Sequence, residues 1–191
     1  MNTLEQFLER VLPSEGVYCV VVFKGQMPPQ HIFKQTLGGM ADAIRVNDAH
    51  GHTVYHACAT FKEPGRRSIE NVRYLRSLWL DIDVGFDEKR NKPRKYKDQD
   101  EAAQAVAALS RATRLPDPVL VDSGYGLHCY WPMAENVDRL RWQKLADYFR
   151  GFCVSYELEA DHALTGNSAV ILRPIGTHNR KRGEERLVRC L

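Results

Sequence analysis

The amino-acid sequence predicts an α+β domain, a mixed sheet with helices packed on it. Three observations carry this. Short β-branched and aromatic runs recur, the sharpest being LWLDIDV at 78–84. Two longer stretches, 98–113 and 137–158, have helical spacing or composition. Strands and helices mix without strict βαβ alternation, so an α+β or mixed-sheet architecture follows. The 191 residues suit one domain or a two-lobed compact unit. Hydrophobic residues at 43% and charged residues at 27% exclude a disordered tail, a collagen-like repeat and a simple coiled coil. A chain of this size buries about 70% of its unfolded surface, so no covalent staple is required.

In chain order, Thr3-Leu4-Glu5-Gln6 has the form of a capping box and predicts a short helix stopping before Pro13. Residues 17–23 read as a buried strand. Pro28-Pro29 makes 26–30 a loop. Residues 37–49 look helical despite Gly38-Gly39, and 53–61 read as a second strand. Pro64-Gly65-Arg66-Arg67 makes a basic turn, and 69–75 a short helix. After the 78–84 strand comes a basic loop without apolar residues. The Ala-rich stretch 98–113 is helical, with Asp98 as its cap. Residues 118–121 and 127–131 read as strands joined by Asp122-Ser123-Gly124-Tyr125-Gly126. In the 137–158 helix, Trp142, Leu145, Ala146, Phe149, Phe152 and Cys153 form a stripe that reads as core. A short strand at 169–172, a loop at 174–182 and a last strand at 186–191 complete the chain. Ending on a strand, it reads as a domain excised from a longer protein.

The five cysteines, Cys19, Cys58, Cys129, Cys153 and Cys190, are odd in number, scattered and free of any CxxC pair. They predict buried, reduced thiols in a cytoplasmic protein. No run approaches the ~20 apolar residues of a membrane span, and the first ten residues are neither a signal nor a transit peptide. A net charge of +3 is too small to argue for a nucleic-acid partner. Its distribution says more. Lys89, Arg90, Lys92, Arg94, Lys95 and Lys97 form one cluster, and Arg173, Arg180, Lys181, Arg182, Arg186 and Arg189 another. Such clusters offer a footprint for phosphates, although a charge run also reads as a solvated loop.

Three motifs carry chemistry. In Asp81-Ile82-Asp83 the two carboxylates share a strand face, about 6.6–7 Å apart along the chain. They repel each other and lose hydration, which calls for a cation between them, and a hard divalent ion prefers oxygen ligands. Asp122-Ser123-Gly124-Tyr125-Gly126-Leu127-His128 places a glycine-bearing turn, suited to anions, before a histidine. If His128 shares the face of Asp81 and Asp83, its imidazole can donate to a phosphate. Asp161 offers a third carboxylate, followed by Arg173 at a strand end and by Arg180 and Lys181 in a Gly-bearing loop. Arg suits bidentate phosphate contact, Lys a point-charge contact. Each motif alone also fits a structural role: solvated strand-end aspartates, a hairpin with a core histidine, a basic turn.

Together the three motifs resemble the archaeo-eukaryotic primase superfamily, closest to the primase-polymerase domains of phage and plasmid replication proteins. The resemblance runs from about residue 54 to 181. It rests on NVRYLRSLWLDID at 71–83, SGYGLHCYW at 123–131 and the 161–181 block. It implies an RRM-like lobe carrying the metal site, packed on an N-terminal α/β lobe, roughly 76–191 and 1–75. It implies Asp81, Asp83 and Asp161 as ligands of two Mg²⁺ or Mn²⁺ ions, with His128 on the nucleotide phosphates. Ser123, Gly124, Gly126, Arg173 and Lys181 would join it in nucleotide binding. Lys92, Arg94, Lys95, Lys97, Arg180 and Arg182 are expected to hold nucleic-acid backbone. The implied partners are nucleoside triphosphates, a single-stranded DNA template or primer-template, and a helicase domain of the same polypeptide. The implied place is the cytoplasm of a bacterial host.

The sequence also departs from the family pattern. Gly126 stands where a small hydroxyl residue is usual. Val170 occupies a usually basic position, Pro174-Ile175 inverts the usual order, and no zinc-binding cysteine set is present. Two other readings of the motifs stand beside nucleotidyl transfer: a metal-dependent nuclease, and a non-catalytic module that binds an origin or single-stranded DNA.

Overall fold

The computed structural model describes residues 3–88 and 90–191. Helix α1 (Leu4–Val11) is capped as expected, the Thr3 hydroxyl accepting the Gln6 N–H at 3.2 Å. Strand β1 (Tyr18–Phe23) follows. The turn at Pro28-Pro29 then leads into β2 (Gln30–Lys34), antiparallel to β1 with Val20 opposite Ile32. The sequence reading had no strand there. Helix α2 (Leu37–Ala49) buries Met40, Ala41 and Ile44 in the core behind this sheet. Strand β3 (Thr53–Ala57) pairs with the other edge of β1.

The single strand expected over 53–61 is two strands in two sheets. At Cys58, whose N–H donates to the Val170 carbonyl at 3.1 Å, the chain leaves the first sheet. Strand β4 (Ala59–Phe61) then pairs with β5 (Val72–Asp83) of the second. The helix expected over 69–75 is not formed. Residues Ile69–Asn71 make one 3₁₀ turn, and Val72 begins a twelve-residue strand. Leu75, Ser77 and Trp79 are buried at strand spacing, and β5 is paired on both sides. Ladder bonds and two-sided burial override a locally helical pattern.

Strands β6 (Phe86–Asp87) and β7 (Lys92–Pro93) form a small hairpin. The basic loop expected here has an apolar anchor after all: Tyr96 is 5% exposed and packs with Val84 and Ala102. Helix α3 (Gln99–Thr113) starts at Asp98, whose carboxylate accepts the Glu101 N–H at 2.9 Å. Strand β8 (Val119–Asp122) pairs antiparallel with β9 (Gly126–Asp138). Because β9 runs to Asp138, helix α4 (Arg139–Ser155) begins two residues later than expected and ends three earlier. Its core stripe is also narrower. Trp142, Ala146, Phe149 and Cys153 are buried, but Leu145 and Phe152 face solvent at 38% and 47% exposure. The protein covers one side of α4 only, so residues at the margin of the stripe stay wet.

The short helix α5 (His162–Thr165), strand β10 (Ile171–Leu172) and strand β11 (His178–Asn179) follow. The expected last strand is broken at Val188 into β12 (Arg186–Leu187), on β11, and β13 (Arg189–Cys190), on β8. The first sheet has the order β10-β3-β1-β2 and the second β13-β8-β9-β5-β4. The two sheets therefore exchange strands across the expected division near residue 75.

In the second sheet, Trp79 of β5 stands opposite Tyr130 of β9, and both join the core shared with the first sheet and α1. Trp79 also stacks on Trp142, with centroids 4.7 Å apart. Leu80 and Cys129 point the other way, into a core with α3 and α4. Cys19, Cys58, Cys129 and Cys153 are buried free thiols, and Cys190 is half-buried. Among the described residues no helix is long and apolar enough to cross a membrane.

Candidate active site

The row that begins at Trp79 and Tyr130 ends in polar residues. The register places Asp81 opposite His128 and Asp83 opposite Gly126. His128 therefore shares the face of the carboxylate pair, with Nε2 3.7 Å from Asp81 Oδ1. Asp161 arrives from the turn before α5. Its N–H donates to the Asp81 carbonyl at 2.8 Å, and its carboxylate accepts the Ala163 and Leu164 N–H groups. Asp81, Asp83 and Asp161 line one cavity of about 740 Å³, together with Lys92, Arg94 and Arg182.

Burial pushes the Asp81 carboxyl up to about 7, and repulsion from Asp83 and Asp161 adds to this against the pull of Lys181 and Arg173. Among the described residues no three acidic, histidine or cysteine side chains converge as a ready metal cluster. The outer two carboxylates have other partners. Asp83 pairs with Arg94 at 3.0 Å, and Asp161 caps α5. The donor set nonetheless fits a hard divalent ion. It supplies carboxylate oxygens around one cavity, and the raised pKa of half-buried Asp81 shows that the nearby cations do not offset the charge gathered there.

A second cavity of about 100 Å³ adjoins the first and shares Asp81, Asp83 and Lys181 with it. Its wall adds Ser123, His128 and Arg173, three residues singled out from sequence. Arg173 is 6% exposed, its guanidinium lies 4.5 Å from the centre of the Tyr55 ring, and Nη1 has no hydrogen-bond partner. Burial lowers its pKa. His128 Nδ1 is also buried without a partner. Burial, then the positive fields of His56 and Arg173, push this histidine down to about 3, so it is neutral at pH 7 and donates through one ring nitrogen.

Close packing shapes the glycine-bearing turn. Gly124 has φ +92°, and its N–H donates to Asp122 Oδ1 at 2.8 Å. At Gly126 a Cβ would sit 2.5 Å from the Ile82 carbonyl oxygen, which explains glycine where a hydroxyl residue is usual. Tyr125 lies under two guanidinium groups, Arg182 at 4.8 Å and Arg186 at 4.2 Å. Tyr55, Tyr125 and Asn179 also line the small cavity and escaped the sequence reading. Two signals were available: strand alternation at Tyr55 and the position of Asn179 two residues before Lys181.

The basic residues divide. Lys92, Arg94 and Arg182 reach the large cavity. Arg94 is held there by Asp83 and by Asp87 at 3.5 Å, and Arg182 pairs with Glu88 at 3.4 Å. Lys97 is exposed beside Asp98. Lys95 donates to the Glu157 carbonyl. Arg180 binds Asp48 at 2.7 Å and Glu185 at 2.8 Å, so its donors serve the protein itself. Lys89 lies outside the described residues. Val170 is buried, and its carbonyl holds the Cys58 crossing, so a basic side chain has no room there. Ile175 is buried too, and Pro174 accepts the Thr177 hydroxyl at 2.8 Å, which makes the inverted pair a packed turn.

No protein-family model and no curated protein sequence matches the chain. Solved structures do. The primase-polymerase domain of cyanophage S-2L is similar at TM-score 0.58 and 16% identity, over 91% of this chain and 80% of that one. The primase RepB′ is similar at TM-score 0.61 and 13% identity, over 99% of this chain but 56% of its own. The catalytic domain of RepB′, solved in complex with initiator DNA, gives TM-score 0.60 at 13% identity over 98% and 83% of the two chains. The chain has the α+β fold of these primase and primase-polymerase domains.

Proposed function

We propose that this chain is the catalytic domain of a DNA primase-polymerase, a nucleotidyltransferase acting on nucleoside triphosphates and single-stranded DNA in phage or plasmid replication. One observation carries the reading: a large carboxylate-lined cavity and a small cavity bearing His128 and Arg173 share Asp81, Asp83 and Lys181. The likeness in fold to two primases, one solved with initiator DNA, supports it.

The reaction joins a 3′-hydroxyl oxygen to the α-phosphorus of an incoming nucleotide. Pyrophosphate leaves, and the hydroxyl proton is lost to solvent or base. Asp81, Asp83 and Asp161 would hold Mg²⁺ or Mn²⁺, which when bound lowers the pKa of the hydroxyl and offsets triphosphate charge. The remaining work belongs to side chains. His128 is neutral, so it donates one N–H to a phosphate oxygen without adding charge. Arg173 offers the unpartnered Nη1 and Lys181 an ammonium, which together neutralise charge on the leaving group. Lys92, Arg182 and the exposed Lys97 would follow the DNA backbone, with affinity falling steeply as salt rises. A helicase domain of the same polypeptide would deliver the single strand.

The test is labelled-nucleotide incorporation on a single-stranded template, with and without primer, in Mg²⁺ and in Mn²⁺. Wild type makes product, and Asp81→Ala/Asp83→Ala loses at least about a hundredfold. Undiminished synthesis by that variant overturns the proposal. Template degradation without triphosphates would assign a nuclease instead. DNA binding that survives chelation, with no synthesis, would assign a binding module.

A further inference from the structure

Residues 178–181 are gripped from two sides. His178 and Arg180 face helix α2. Asp48, only 7% exposed, accepts the His178 backbone N–H at 2.9 Å through Oδ1, meets the ring Nδ1 at 2.8 Å through Oδ2, and accepts Arg180 Nη1 at 2.7 Å. Arg180 also donates to the His52 carbonyl at 3.0 Å. Asn179 and Lys181 face the opposite way, as alternation in an extended segment requires. Asn179, 3% exposed, donates through Nδ2 to the Ser123 carbonyl at 2.6 Å and accepts the Lys181 N–H at 3.1 Å. Its Cβ also lies where a Cβ on Gly124 would come within 3.0 Å. One amide side chain thus ties the glycine-bearing turn to the backbone of Lys181, and both of its polar atoms are engaged within the protein.

A lysine ammonium on a flexible four-carbon stem is aimed only as well as its backbone is fixed. We infer that Asn179 is a positioning residue, setting the Lys181 ammonium against the triphosphate, and that Asp48, on helix α2, locks the outer side of the same segment. This rests on the reading of the small cavity as the triphosphate site. Asp48 and Asn179 act through Lys181, so removing Lys181 should erase most of what they contribute.

The experiment is a double-mutant cycle on the full chain, read by equilibrium binding of a fluorescent nucleoside triphosphate, with melting temperature recorded in parallel. Lys181→Ala and Asn179→Ala each weaken binding about tenfold. The double variant is within about twofold of Lys181→Ala alone. If the two losses multiply to about a hundredfold, the positioning role is overturned. Should Asn179→Ala fail to fold, Asp48→Asn, which lies outside the cavity, must show the same lack of additivity with Lys181→Ala. A wild type that binds no triphosphate overturns the reading of the cavity and this inference with it, a result distinct from a binding wild type with additive losses.

Discussion

Asp81 and His128 face each other across β5 and β9, 3.7 Å apart at their nearest polar atoms, yet they are not an ion pair. The same burial acts on both in opposite directions. It pushes the carboxyl up to about 7 and the imidazole down to about 3, so at neutral pH the pair carries at most one negative charge.

The stability of the metal-free protein follows from the carboxyl. The folded pKa of Asp81 lies above its unfolded value, so folding takes up a proton between about pH 4 and 7. That contribution is full below pH 4 and is lost as pH rises through 7. Asp81→Asn removes the charge. In chelator the variant should be more stable than wild type at pH 8 by up to about 4 kcal/mol, with the difference shrinking toward pH 4. Urea midpoints at both pH values check this, and equal midpoints at pH 8 would contradict it.

On the acid side the sign reverses. His56 and His128 are both pushed down to about 3, chiefly by burial. The unfolded chain takes up protons below its ordinary histidine pKa that the folded chain refuses, so stability is lost as pH falls from about 6.5 toward 3. His56→Leu removes one such group of similar size. Between pH 6 and 4 its stability should fall less steeply, by about 1.4 kcal/mol per pH unit. A denaturant series across that range measures the slope.

Arg94 sits on Asp83 and Asp87 with its side chain only 22% exposed, where it competes with any cation for those oxygens. Arg94→Gln should tighten Mn²⁺ binding about three- to tenfold while weakening DNA binding. Calorimetric titration with Mn²⁺ reads the first effect and anisotropy on labelled single strands the second. Weaker Mn²⁺ binding by the variant would mean that the guanidinium supports the carboxylate rather than competing for it.

Two glycines should respond oppositely to alanine. Gly126→Ala drives a methyl group into the Ile82 backbone and should cost about 2–4 kcal/mol. Gly38 lies in the first turn of α2 with open space around its Cβ direction, so Gly38→Ala should gain about 0.5 kcal/mol. Chemical denaturation of the two variants separates a packing limit from a purely conformational one.

The parts legible from sequence were those set by local chemistry. Thr3 and Asp98 cap helices because short oxygen-bearing side chains reach their N–H groups from the sequence itself. The face shared by Asp81 and Asp83 followed from strand alternation, whereas its sharing by His128 needed the register of β5 against β9. What escaped depends on partners distant in the chain. Nothing near residue 58 marks the move from one sheet to the other, because the Val170 carbonyl that holds it lies over a hundred positions away. The helix expected at 69–75 gave way to a strand because β4 and β9 flank it. Arg180 looked like its neighbours Lys181 and Arg182 until Asp48 appeared beside it.

The exchange of β4 and β10 between the sheets has a mechanical outcome. A protein cut near residue 75 would yield two fragments, each lacking an edge that the other half holds, so neither would fold alone and the pair would have to reassemble to recover either. Because the cleft walls are stitched together in this way, heat or denaturant should open them in one concerted event rather than lobe by lobe.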